Sequence, residues 1–184
     1  MKLKCILLFI LSLGLCGCPG NDQVFFEIQS INVNNVIAET GEKLADSSSI
    51  EWNLFAINLT FNSSELIVMN RLCNKANIAM ATRYISPEAS FKITNLTIEY
   101  NNNSNTIDLT NIFSTYEYKV PCPNTIACLN DFASEQFDGS AGKDYLKFEN
   151  KPDYDLSDGF FTVSLELEDG TILKDSTQTI TITP

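Results

Sequence analysis

Phe160-Phe161-Thr162-Val163-Ser164-Leu165-Glu166-Leu167, followed two residues later by Asp169-Gly170, is the stretch that decides the fold. Its apolar side chains alternate with others, so Phe161, Val163, Leu165 and Leu167 fall on one face with the two-residue period of a strand. Asp-Gly favours the left-handed backbone of a two-residue type I′ hairpin turn. That turn predicts Leu167 opposite Ile172 and Leu165 opposite Lys174. Ile172, Ile180 and Ile182 then share the apolar face. Lys174, Ser176 and Gln178 land on the same face, which predicts a bulge or a sheet edge there.

Upstream, the same reading finds more short strands separated by turn signals. Val24–Val33 is rich in β-branched and aromatic residues and reads as a first strand. Asn34–Ser49 is polar and reads as a long loop or irregular edge. Ile50–Phe61 alternates Phe55, Ile57, Leu59 and Phe61 against Trp52, Leu54 and Ala56, a strand covered on both sides. Leu66–Met69 is a further short strand. Arg71–Tyr84 reads as a short helix or an irregular connection, ended by Pro87. In Phe91–Tyr100 the apolar phase shifts between Ile93 and Leu96, which predicts a β-bulge. Asn101–Asn105 is a turn cluster, since Asn tolerates left-handed conformations. Thr106–Phe113 and Asp144–Phe148 complete the strands, with Phe132–Gly142 a polar loop between them. The expected class is all-β: an antiparallel β-sandwich, immunoglobulin-like in its candidate form, with a short helix or irregular insert near residues 71–84.

The N-terminus carries a different signal. Lys2 and Lys4 precede an apolar run from Cys5 to Leu15. A bilayer span needs roughly twenty apolar residues, so this run suits a secretory leader instead. It closes on Leu15-Cys16-Gly17-Cys18, which resembles the lipobox of bacterial lipoprotein signal peptides. Gly17 provides the small side chain required before the cut, whereas Leu15 before Cys16 does not. The division expected is a signal peptide at 1–17, a lipidated tether at 18–23 and one β-sandwich domain at 24–184. The resemblance implies a diacylglyceryl thioether on the Cys18 thiol and a membrane anchor of two or more acyl chains. Together, the lipobox, the Ile107-Asp108-Leu109-Thr110-Asn111-Ile112-Phe113 segment and the closing hairpin are similar to small cell-envelope lipoproteins of Bacteroidota. Many of those belong to uncharacterised families with sandwich-like domains. The resemblance implies a bacterial envelope address, lipid-anchored to a membrane, with the outer membrane as the expected one and a periplasmic or surface-facing domain. It brings no catalytic residues.

Removing residues 1–17 leaves ten basic against 23 acidic residues, a net charge of −13. Phosphate backbones and anionic lipid surfaces repel such a domain, so no nucleic-acid partner is expected. Cys73, Cys122 and Cys128 remain once Cys18 is lipidated. In an oxidising compartment the short Cys122–Cys128 loop is the favoured disulfide, with Cys73 pairing to one of the two as the alternative.

The sequence contains no histidine. That excludes Ser-His-Asp and Cys-His nucleophilic machinery and His-ligated zinc or copper. No phosphate-cradling Gly-rich loop and no CxxC pair occur. Carboxylate pairs of the glycosidase type remain formally open among the 23 acids, and the expected protein is not an enzyme and needs no cofactor. Asp153, Asp155 and Asp158, at alternate positions before Gly159, resemble the start of a calcium loop. They depart from it where Asp158 replaces the Gly and Ser164 the bidentate Glu, so a solvated turn is the competing and favoured reading. Trp52 is a core residue or a sugar-stacking platform. Asp175-Ser176-Thr177 resembles an O-glycosylation site of Bacteroidota, with Ser176 the acceptor. The function expected is a non-catalytic, membrane-anchored binding or accessory module with a protein or glycan partner. The alternatives are a pilus- or adhesin-like component that pairs strands, and a carbohydrate-binding module.

Overall fold

The computed structural model describes residues 25–66, 87–103, 105–117, 120–139 and 145–184. In chain order the strands are β1 (Phe25–Ile37), β2 (Ser48–Glu51), β3 (Phe55–Leu66), β4 (Glu88–Ala89), β5 (Ile93–Asn101), β6 (Thr106–Asp108), β7 (Phe113–Glu117) and β8 (Val120–Pro121). Helix α1 (Thr125–Asp138) follows, and then β9 (Tyr145–Phe148), β10 (Leu156–Leu167), β11 (Ile172–Ser176) and β12 (Ile180–Thr183). One sheet runs β4-β1-β3-β9-β7-β8 and the other β2-β12-β10-β5-β6, with β11 also paired to β10. The two pack face to face as an all-β sandwich, antiparallel except where β4 joins β1 and β2 joins β12.

The core forms where the two inner faces meet. Phe161 of β10 lies 5.1 Å from Phe55 and 5.1 Å from Tyr100, ring centroid to centroid, and Phe113 and Phe148 close the cluster at 4.2 Å from each other. Val163, Leu165 and Leu167 continue the same face and are buried. Offset and edge-on aromatic contacts of this kind add about 0.5–1.5 kcal/mol per pair beyond burial.

Bulges keep the apolar side chains inside. In β1, Ile28 faces Ser63 and Ser30 faces Asn62, so Gln29 is the extra residue. The inward phase passes from Phe26 and Ile28 to Ile31 and Val33 across it. In β5, Leu167 faces Ile93 while Glu166 faces Asn95, which places the bulge at Thr94, within the predicted phase shift.

The closing hairpin departs from the predicted register. Leu165 faces Leu173 and Glu166 faces Ile172, one residue away from the two-residue-turn alignment. Gly170 alone takes the left-handed conformation, at φ 85°. Its N–H donates to the Leu167 carbonyl, and the Leu167 N–H to the Thr171 carbonyl. Those bonds define a three-residue loop with a G1 bulge. The extra residue turns Leu173 inward and Lys174 outward, which removes the polar interruption that the shorter loop imposed.

Three further expectations are corrected. Ile50–Phe61 is not one strand: residues 52–54 turn between β2 and β3, so Trp52 is a turn residue. The polar Asn34–Ser49 stretch is partly strand, because β1 continues to Ile37 and β2 begins at Ser48. Residues 125–138 are helical, where a polar loop from Phe132 was expected. Asn124 caps this helix, its side chain accepting from the Ala127 N–H at 3.1 Å, and Gly139 ends it in the left-handed conformation. Leu129, Phe132 and Ala133 give it a buried face. The insert near 71–84 lies outside the described residues.

Helix α1 closes one open side of the sandwich. Its Gln136 side-chain amide accepts from the Phe61 N–H at 2.8 Å and donates to the Leu59 carbonyl at 2.9 Å on β3. Asn130 does the same to β5, accepting from the Ile93 N–H at 2.9 Å and donating to its carbonyl at 3.0 Å. Each amide replaces a neighbouring strand, so the helix fastens one sheet to the other. Opposite, Asp175 of β11 accepts from the Val33 N–H at 2.9 Å, and Asn35 donates to the Gln178 carbonyl at 2.7 Å. β1 is thereby joined to the second sheet.

Candidate functional site

A small cavity lies beside Tyr145, lined from β3, β7, β9 and helix α1. Its cavity volume is about 40 Å³, well below the roughly 300–1,000 Å³ typical of small-ligand sites. Four apolar side chains make its floor: Leu59, Leu129, Phe132 and Leu146. All four are buried, so the floor belongs to the sandwich core and is held rigidly.

The walls come from three elements. Tyr116 of β7 and Tyr145 of β9 are cross-strand partners on the sheet face opposite Thr115 and Leu146, and they border the cavity from that side. Lys147 places its ammonium 5.1 Å from the Tyr116 ring centroid, a distance at which an aromatic face attracts a cation. Cys122 and Cys128 form the third wall as a disulfide, Cα atoms 6.4 Å apart, within the normal span. The local pairing is thus the one present, and it joins the residue after β8 to the first turn of α1. The loop expected between the two cysteines is in part helix, from Thr125 onward.

Chemistry is concentrated at two points. Asp131 and Glu135 line the cavity from α1, and residues four apart share one face of a helix. Asp131 is exposed and stands at the rim. Deeper, Thr115 is 4% exposed and its Oγ1 finds no hydrogen-bond partner among the described residues. A buried hydroxyl without a partner costs about 1–3 kcal/mol. Neither point was read from the sequence. The helix itself had a legible signal in Asn124, the Leu129–Phe132–Ala133 spacing and Gly139. The approach of α1 to β7 and β9 had none, because it depends on tertiary packing.

The residues singled out in the sequence lie elsewhere. Cys18 and Cys73 are outside the described residues. Asp153, Asp155 and Asp158 do not converge: Asp155 accepts from the Ser157 hydroxyl, and Asp158 accepts from Thr181 Oγ1 at 3.2 Å. Among the described residues no three cysteine or carboxylate side chains gather as a metal would need. This stretch bends the chain into β10, with Asp158 left-handed at φ 52° and a register shift before Gly159. Tyr100 packs beneath it. Burial pushes its hydroxyl up to about 12, and the charges of Asp155 and Asp158 push in the same direction. Trp52 is half-buried and packs against the core, its backbone N–H donating to the Thr183 carbonyl at 3.0 Å. Ser176 is exposed on the outer face of β11 and shares a 3.0 Å hydrogen bond with Thr162.

Comparison with models of known protein families, with curated proteins and with solved structures matched nothing.

Proposed function

We propose that this chain is a non-catalytic cell-envelope lipoprotein, anchored through Cys18, whose sandwich serves as a binding or accessory module. The observation that carries the anchor is Gly17-Cys18 directly after a charged start and a short apolar run. No helix among the described residues is long and apolar enough to cross a membrane. The chain has no histidine to serve as a general base. The net −13 of the exported portion favours solubility close to a membrane surface.

A pilus- or adhesin-type role through strand addition has less support. That mode needs an open sheet edge. Among the described residues the outermost strands β2, β4, β6 and β8 are two to four residues long and β11, paired only to β10, is five, and Gln136 and Asn130 cover backbone groups that β3 and β5 would otherwise offer. Short edges and side-chain caps are the usual protection against added strands. A carbohydrate-binding role at Trp52 is weakened by the packing of that ring against the core.

The anchor is tested by growing cells with labelled palmitate. The wild-type protein should incorporate label and sediment with membranes, and Cys18→Ala should do neither. Undiminished labelling of the variant refutes the assigned cut site.

A further inference from the structure

We propose, resting on the Cys18 anchor, that the pole of the sandwich where β1 begins docks on a zwitterionic bilayer surface through Phe91 and Ile172. Two exposed apolar residues share that pole. The Ser90 N–H donates to the Phe26 carbonyl at 2.7 Å, which sets Phe91 beside the start of β1. The Glu168 N–H donates to the Lys92 carbonyl at 2.9 Å, which brings the β10–β11 hairpin against the same segment. Ile172 opens β11 as the chain leaves that hairpin. Phe91 is 42% exposed and Ile172 66%, the highest value among the exposed large apolar residues described.

The length of chain between the lipid and the fold selects this pole. Cys18 and Phe25 are seven residues apart, so even fully extended the connection reaches roughly 25 Å. β1 runs thirteen residues, Phe25–Ile37, and at about 3.3 Å per residue its far end stands roughly 40 Å away. Leu54, Tyr154 and Phe160 are also exposed, but they lie toward that far end. The Leu54 carbonyl accepts from the Ala38 N–H just past β1, Phe160 pairs with Asn101 at the close of β5, and Tyr154 precedes β10 at the end away from the hairpin. For the far end to touch the bilayer end-on, Phe25 would have to stand roughly 40 Å above it, beyond the reach of the tether.

Two side chains alone hold a bilayer weakly. A tether makes their contact intramolecular, at an effective concentration on the order of millimolar. Apolar side chains so held settle at the boundary between headgroups and acyl chains. Charge selects the lipid. At this pole Glu27, Glu88, Glu168 and Asp169 outnumber Lys92, a surplus that anionic headgroups repel and zwitterionic ones accept.

The test uses the full-length lipidated protein in phosphatidylcholine nanodiscs, with and without bromine on the acyl chains. Bromine quenches tryptophan only at close range. Trp52, the sole tryptophan, lies just before β3, where Phe55 pairs with Ile37, and so marks the far end. Wild-type emission should be the same in both nanodiscs. Phe91→Trp should lose at least about half of its added emission in the brominated ones, as a ring seated about 5–10 Å into the interface does. Ile172→Ser in that background should reduce the quenching at least about twofold. Ile172→Trp is the second reporter if Phe91→Trp does not fold. At low ionic strength, phosphatidylglycerol mixed into the nanodiscs should weaken the quenching.

Equal emission of both reporter variants in the two nanodiscs overturns the docking, and so does quenching of Trp52 to the same degree as the added ring. Stronger quenching with phosphatidylglycerol overturns the zwitterionic assignment. Protein that does not migrate with the nanodiscs refutes the anchor and this proposal with it, whereas migration without quenching leaves the anchor standing.

Discussion

A methyl group at Gly159 would stand 2.3 Å from Tyr100 Cζ and 2.5 Å from the Asn101 carbonyl oxygen. Neither neighbour can retreat: the Tyr100 ring is fully buried against Phe161, and Asn101 is held in register with Phe160. Gly159 is therefore required by close approach, and the turn before it serves packing in the first place. Gly159→Ala should destabilise the protein by about 1–3 kcal/mol through overpacking, read as a lowered urea midpoint with unchanged slope. A variant as stable as wild type would show that the Tyr100 ring has room to move. The acids ahead of this glycine were legible as a turn. That a glycine must follow them was not, because the ring that excludes a side chain comes from a strand more than fifty residues earlier in the chain.

At the scale of elements, the sandwich is closed by side chains that stand in for strands. Gln136 and Asn130 each satisfy one backbone N–H and one carbonyl on opposite sheets, and Asp175 satisfies the Val33 N–H on the far side. Gln136→Leu keeps the helix and its packing and removes both bonds to β3. The Phe61 N–H and Leu59 carbonyl then lose their partners, at about 1–3 kcal/mol. Chemical denaturation measures the loss, and hydrogen exchange should place it at Phe61. Unchanged exchange at Phe61 would mean that water replaces the amide. The helix also shows where local reading fell short. Its polar residues resembled a loop because Asn130 and Gln136 look like solvent-facing amides until the strand edges they cap are in place. The Asp169-Gly170 hairpin was recognised as a turn, but its loop length was set one residue short. The Leu165–Leu173 pairing needed to bury both side chains favours the longer loop, and the turn dipeptide alone does not contain that information.

Across the whole molecule, acids outnumber bases by 23 to 12. Self-repulsion of that kind opposes the compact state and is relieved by screening. Ionic strength raised from about 0.01 M to about 0.15 M shortens the Debye length from roughly 30 Å to roughly 8 Å. The melting temperature should rise by about 2–4 °C, as expected for about 1 kcal/mol in a domain of this size. A melting temperature that falls with salt would show that attractive ion pairs outweigh the repulsion.

The sequence by itself determined the all-β class, the alternating core faces of β10 and the bulge in β5, and it favoured the local Cys122–Cys128 pairing over one with Cys73. Each rests on a short-range signal: a two-residue period, a broken phase, or two thiols a few residues apart. Only the tertiary structure decided the hairpin register, the break at Trp52, the helix in place of a loop, and the small cavity beside that helix. These depend on which segments meet. A polar side chain is a surface residue, an edge cap or the lining of a site according to what the rest of the chain brings against it, and no local pattern specifies that.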